Sequence, residues 1–188
     1  GYRQRGGGSE LLYKAAGIKK GDRPDVWDVT AGLGRDAFML ALKGCRVRLI
    51  ERSPVIAELL ADGLKRLGDC SEEMAVIAQR MVLMQGDAIQ LLPSIGQGVM
   101  PDVIYMDPMY PERQKSALVK KEMRCLRDVV GSDPDVTDLL TLSREFAGRR
   151  VVVKRPLHAQ LLDSATPQIQ FKGRSTRYDV YLRPGPVI

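Results

Sequence analysis

Short apolar runs alternate with stretches of helical periodicity along this chain, and several of those runs close on an acidic residue. After a helical stretch around Ser9 to Ala16, Val26-Trp27-Asp28-Val29-Thr30 reads as a buried strand. Ala31-Gly32-Leu33-Gly34 then turns into an apolar helix ending near Gly44. Arg46 to Ile50 forms the next strand and ends on Glu51. Ser53 is placed to cap a helix that has Pro54 at its first position and Ile56, Leu60, Leu64 and Leu67 along one face. Met81 to Met84 forms a third strand ending at Gly86-Asp87, followed by a short helix that ends at Pro93. The fourth strand, Val103-Ile104-Tyr105-Met106, is almost wholly apolar and delivers Asp107 to its carboxyl end.

Beyond Asp107, Val119, Met123, Leu126 and Val130 recur at helical spacing in a basic segment. Val151-Val152-Val153 is a fifth strand ending in Lys154-Arg155-Pro156, and the runs 168–172 and 178–182 should pair as a hairpin. Five βα units and a terminal hairpin predict an α/β fold. The expected architecture is an open, doubly wound, mostly parallel seven-stranded sheet with a C-terminal antiparallel hairpin, one strand running against the rest. No internal repeat or low-complexity segment interrupts the alternation.

A length of 188 residues suits one compact domain over 1–188 and leaves no room for a second full one. Apolar residues at 44% and charged residues at 28% exclude a disordered or fibrous chain. No apolar run approaches the ~20 residues that span a bilayer and no signal-peptide pattern opens the chain, so a cytoplasmic location is expected. Cys45, Cys70 and Cys125 are far apart and read as free thiols, with no C-x-x-C pair for zinc or redox work. Lys and Arg exceed Asp and Glu by 29 to 23, a net charge of +6 compatible with an anionic partner such as nucleic acid. The basic residues bunch at Lys115, Lys120, Lys121, Arg124 and Arg127, at Arg149, Arg150, Lys154 and Arg155, and at Lys172, Arg174 and Arg177.

In open α/β sheets the ligand lies beyond the carboxyl ends of the strands, where the strand order reverses. That rule selects Asp28, Gly32, Gly34, Arg35 and Asp36 after strand one. It also selects Glu51 and Arg52 after strand two, Asp87 and Ala88 after strand three, and Asp107 after strand four. Gly32-x-Gly34-x-x-Ala37 lets backbone approach a ligand and aims helix N–H groups at it. Glu51 follows Gly32 by 19 residues, the offset at which a carboxylate accepts both hydroxyls of an adenine nucleoside's ribose. This pair fits a nicotinamide nucleotide as well as S-adenosylmethionine; Asp87 and Asp107 favour the latter. A carboxylate at Asp87 can accept the adenine amino group, although the same residue also suits a plain helix N-cap.

Asp107-Pro108-Met109-Tyr110-Pro111 is the most informative segment, because two prolines within five residues stiffen a loop directly after a buried strand. The lone pair of an exocyclic base amine is drawn into the ring, so its methylation needs acceptors that favour attack and take the proton. Asp107 and the Pro108 carbonyl can serve, and Tyr110 offers a stacking face for a flipped or unpaired base. These residues resemble the Asp/Asn-Pro-Pro-Tyr/Phe motif of amino-directed nucleic-acid methyltransferases, with Met109 where the second proline usually stands. Four stretches closely resemble the ribosomal RNA small subunit methyltransferase J family: 28–37, 107–111, 114–124 and 151–156.

The resemblance runs over nearly the whole chain and implies a Rossmann-like class I S-adenosylmethionine-dependent methyltransferase acting on N2 of a guanine in small-subunit (16S) ribosomal RNA, free or within the ribosomal particle. It implies cofactor contacts at Arg35, Asp36, Glu51, Arg52, Asp87, Ala88 and Asp107, and a longer N-terminal region than this sequence carries. On this reading Asp107, Pro108 and Tyr110 are catalytic, Asp28, Gly32 and Gly34 complete the cofactor site, and no metal is required. Lys115, Lys120, Lys121, Arg124, Lys154 and Arg155 are assigned to phosphate contact from their clustering beside the site. The single histidine, His158, reads as a surface residue. The alternatives are an amino-methyltransferase for another nucleic acid, a nicotinamide-dependent oxidoreductase, and an RNA-binding module that has kept the fold without the activity.

Overall fold

The computed structural model describes residues 8–109, 135–162 and 166–183. Its elements in chain order are α1 (Gly8–Ala15), β1 (Asp25–Asp28), α2 (Arg35–Leu42), β2 (Arg46–Glu51), α3 (Pro54–Cys70), α4 (Glu72–Ala78), β3 (Met81–Gln85) and α5 (Ala88–Ile95). They continue with β4 (Val103–Met106), α6 (Val136–Phe146), β5 (Arg150–Pro156), β6 (Ile169–Lys172) and β7 (Thr176–Leu182). The helix expected around Val119 to Val130 lies outside the described residues.

The strands form one seven-stranded sheet in the order β3-β2-β1-β4-β5-β7-β6. The pairs from β3 through β5 are parallel, and β7 runs antiparallel to both β5 and β6. The terminal hairpin and the single reversed strand are therefore as the sequence predicts. The chain winds outward from β1 through β2 to β3, then returns to β4 on the other side of β1, so the order reverses between β1 and β4. A crevice at that reversal is where open α/β sheets bind ligands.

Both faces of the sheet are covered, which explains why the central strands are continuous apolar runs and not alternating ones. Val26, Val47, Leu49, Val103, Tyr105, Val152 and Val180 pack beneath α1, α2 and parts of α3 and α4. Trp27, Ile50, Ile104, Met106, Val151 and Val153 pack on the opposite face against α5 and α6. Strand residues two apart thus share a face, and this parity continues past the strand ends into the site.

Local chemistry sets most boundaries. The Ser53 hydroxyl accepts the Ile56 N–H and Pro54 opens α3, as its sequence signals require. Two elements had no counterpart in the sequence reading. Ser71 ends α3 in extended conformation and its hydroxyl accepts the Met74 N–H to start α4, whose Glu72 and Glu73 complement the helix dipole. The other is α6, which places Leu139 and Leu140 in the second core. The short helix after β3 does not end at Pro93: α5 runs to Ile95, and the Gly96 N–H still bonds to the Leu92 carbonyl. Proline in the final turn removes one hydrogen bond without displacing the turn that follows.

Candidate active site

Alternation along the strands carries a set of polar side chains onto one face at the carboxyl edge. Asp28 lies two residues beyond Val26, Asp107 two beyond Tyr105, and Lys154 two beyond Val152; Tyr178 lies two before Val180. The register sets Met106 beside Val153 and Lys154 beside Tyr178, which brings the ends of β4, β5 and β7 together. Asp36, in the first turn of α2, faces this edge.

Lys154 Nζ lies 2.7 Å from Asp36 Oδ2 and 2.8 Å from Asp107 Oδ2. The Tyr105 hydroxyl donates to the same Asp36 oxygen at 2.5 Å. Thr30 ties the first strand to the fourth: its hydroxyl oxygen accepts the Asp107 N–H at 2.6 Å, while its own N–H donates to Asp28 Oδ1 at 3.2 Å. Asp107 is therefore anchored at its backbone by the turn that follows β1 and at its carboxylate by β5.

Burial raises the pKa of Asp107, and Asp36 adds to the rise, while the Lys154 charge and hydrogen bond oppose it. For Lys154 the burial that disfavours its charge is outweighed by Asp107 and Asp36, so its pKa is raised. Desolvation lifts the Tyr105 hydroxyl well above its ordinary value, and lifts Tyr178 to about 12. Among the described residues no group of three or more His, Cys, Asp or Glu side chains is placed to hold a metal ion; an ammonium sits between two of these carboxylates instead.

Asp28 is almost completely buried, and desolvation raises its pKa well above 3.8, with Asp36 and Asp107 adding repulsion. A raised native pKa means that the folded chain holds this proton more tightly than the unfolded one. The resulting stability is full below about pH 3.8 and is lost as the pH climbs through the native value. Asp28→Asn should flatten that slope in urea titrations run from pH 4 to 8. An unchanged slope would show that Asp28 does not carry it.

On the cofactor side, the Glu51 carboxylate is buried at the end of β2 and held by two backbone donors. Gly32 N–H reaches Oε2 and Ser53 N–H reaches Oε1, each at 2.8 Å. Each oxygen keeps a lone pair, so the group is aimed and still able to accept two hydroxyls. Gly32 has a φ of 52°, and a side chain built there would meet nothing within 4 Å, so open space lies above the turn. Gly34, at φ 69°, is tight: a Cβ would come within 2.9 Å of Leu60 Cδ1. Asp87 Oδ1 accepts the Ile89 N–H as a helix N-cap, leaving Oδ2, and the helix supplies no acceptor for the N–H of Ala88 at its first position. A pinned carboxylate for vicinal hydroxyls, open space over a glycine turn, and an acceptor beside an N–H donor fit an adenine nucleoside such as that of S-adenosylmethionine.

Other predicted residues fall in different places. Arg52 pairs with Asp135 at 3.3 Å, tying the end of β2 to the start of α6. Arg35 opens α2 with an exposed side chain, and Pro108 is buried directly after Asp107. Tyr110, Lys115, Lys120, Lys121 and Arg124 lie outside the described residues. Of the cations expected at phosphates, Lys154 has its ammonium engaged by two carboxylates, and Arg155 is 4% exposed with its guanidinium donating to the Gln160 carbonyl. Sequence reasoning missed Thr30, Tyr105 and Tyr178 as parts of the site. Strand parity was the signal that could have found the two tyrosines.

Comparison with known proteins gives these features a class. The SAM_MT family model, "Putative SAM-dependent methyltransferase", matches residues 1–183, and this chain is one of the S-adenosylmethionine-dependent methyltransferases of Rossmann-like fold. It is 54% identical over 180 residues to ribosomal RNA small subunit methyltransferase J of Stutzerimonas stutzeri, covering 95% of this chain and 69% of that protein. Against the protein of the same name from Dechloromonas aromatica the identity is 52%, covering 95% and 72%. The chain belongs to the ribosomal RNA small subunit methyltransferase J family. A solved S-adenosylmethionine-dependent methyltransferase from Neisseria gonorrhoeae superposes with a TM-score of 0.79 at 40% identity, covering 98% of this chain and 71% of that one. An RNA methyltransferase from Salinibacter ruber, in complex with S-adenosyl-L-homocysteine, shares the fold at a TM-score of 0.62 and 15% identity, covering 96% and 92%.

Proposed function

We propose that this chain transfers a methyl group from S-adenosylmethionine to the exocyclic N2 of a guanine in small-subunit ribosomal RNA. The observation that carries the reading is Asp107, held at the end of β4 by Thr30 and Lys154 on the same carboxyl edge of the sheet as Glu51, in a chain of this family.

Glu51 would hold the ribose hydroxyls, Asp87 and the Ala88 N–H would hold the adenine edge, and the Gly32 turn would lie beneath the rest of the cofactor. When bound, the cofactor supplies an electrophilic methyl group on a sulfonium. The chain's own task is to orient the amine. Guanine presents N1–H and the N2 amino group side by side, so Asp107 Oδ1 and the Pro108 carbonyl accept from that edge and turn the N2 lone pair toward the methyl. The N2 proton released on transfer passes to the Asp107 carboxylate and then to solvent; that side chain keeps 40% exposure. Tyr110 would stack on the base, and Lys115, Lys120, Lys121 and Arg124 would contact phosphates. The site of action would be the cytoplasm; no helix among the described residues is long and apolar enough to cross a membrane.

The decisive test supplies labelled S-adenosylmethionine and the protein to ribosomal RNA and ribosomal particles from cells that lack it, and then maps the modified base. Label at N2 of one small-subunit guanine is the expected result. Label at another atom or on another nucleic acid would overturn the assignment.

A further inference from the structure

Lys154 is the described cation that bridges Asp107 and Asp36, and the proposed chemistry leaves it without a task. Its ammonium contacts Oδ2 of Asp107, and Oδ1 accepts no hydrogen bond from the described residues. Asp36 holds the ammonium from the other side while also accepting the Tyr105 hydroxyl, so the lysine is fixed between two elements and not draped over a surface. Its side chain is 27% exposed and its stem leaves β5 beside Tyr178 of β7.

A guanine edge makes one demand of Asp107 that a partly desolvated carboxyl resists. N1–H and the N2 amino group are both donors, so a protonated carboxyl would set a donor against donors and could not take the N2 proton afterwards. The groups facing Asp107 are Asp28 from β1, Asp36 from α2, Tyr105 from β4, Lys154 from β5 and Tyr178 from β7. Asp36 opposes ionisation of Asp107, and the tyrosines stay neutral.

We infer that Lys154 is a positioning residue for methyl transfer: bridging Asp36 and Asp107, it keeps Asp107 an anion and occupies Oδ2 so that Oδ1 is left for the base. The inference rests on the guanine-directed reading of the site. It separates the two aspartates by role, Asp107 meeting the substrate and Asp36 holding the lysine. Desolvation that raises Asp107 and the lysine that opposes it agree with this division.

The test compares wild type, K154Q, K154R and D36N by two readouts. One is the pH profile of kcat/KM for methyl transfer to small-subunit RNA; the other is the carboxyl-carbon NMR titration of Asp107, assigned with D107N. In K154Q the acid limb and the Asp107 titration should both move up by about one pH unit or more, since an opposite charge at this range is removed. K154R should return both toward wild type. D36N, which removes a like charge, should move the Asp107 titration down; it carries the test if K154Q does not fold. An Asp107 titration unchanged in K154Q, or moving the same way in K154Q and D36N, overturns the inference even if activity falls. The NMR arm needs no turnover. A titration that shifts as expected in a protein that modifies no guanine therefore sinks the substrate reading while leaving the electrostatic link standing.

Discussion

Asp107→Asn is expected to lower the single-turnover rate of methyl transfer by about 10³-fold, within the range that a positioned acid–base group supplies. Affinity for S-adenosylmethionine should stay within about threefold of wild type. The substitution keeps the shape of the side chain and leaves the Asp107 N–H bonded to the Thr30 hydroxyl, so the loop should hold its path. An amide fails in two ways. It cannot take the proton that leaves N2, and one of its ends is a donor facing base donors. It also leaves Lys154 with Asp36 as its sole carboxylate partner in this cluster, and breaking one arm of a partly buried ion network costs stability. A modest fall in Tm is thus expected beside the kinetic loss. Rapid-quench transfer and a calorimetric cofactor titration on one preparation separate the effects. A rate within tenfold of wild type would remove Asp107 from the chemistry, and a collapse of cofactor affinity would reassign it to binding.

The parts of this molecule that were legible in the sequence are those whose physics is local. A four-residue run such as Val103–Met106, buried on both faces, announces a central strand, and Ser53-Pro54 announces a helix start. Acidic residues just beyond such runs fall at the carboxyl edge by counting alone, which is how Glu51, Asp87 and Asp107 could be named. The parts that were not legible depend on strand neighbours. Lys154 and Arg155 look alike in sequence, as adjacent cations after an apolar run. Alternation sends them to opposite faces, one into a carboxylate cluster and the other toward the Gln160 carbonyl. Clustering along the chain suggested phosphate, whereas the pairing of β5 with β4 supplied carboxylate partners. Tyr105 was read only as part of an apolar strand because nothing local links it to Asp36, 69 residues earlier. The helix α4 is hard to separate in sequence because a single residue, Ser71, divides it from α3, and the nearby Gly68 lies inside α3 and does not mark the break.

Glu51→Ala tests the cofactor half of the site and should fail in the opposite manner. A carboxylate accepting two hydroxyls contributes about 1.5–3 kcal/mol per hydrogen bond. Its removal should weaken S-adenosylmethionine binding about 100-fold, the equivalent of ~3 kcal/mol, after water replaces part of what is lost. The structure adds a reason for the loss to be large. The Gly32 N–H and the Ser53 N–H both rest on this carboxylate, so its truncation frees the turn beneath the cofactor and the entry to α3 together. Glu51→Gln should be little better for binding, because an amide must point its NH2 at one of two backbone donors. At saturating cofactor, transfer by Glu51→Ala should recover to within about fivefold of wild type, the pattern of lost uniform binding. Asp107→Asn cannot recover in this way, since no cofactor concentration restores a missing acceptor. If Glu51→Ala instead binds S-adenosylmethionine within threefold of wild type, the ribose contact is wrong and the nucleoside must lie elsewhere along the carboxyl edge, with the Asp87 side of the crevice the next place to look. Should the variant bind weakly and still transfer slowly at saturation, the Gly32 turn acts on the reacting geometry as well as on affinity, and the division of labour between the β2 and β4 ends is less sharp than their separate anchoring suggests.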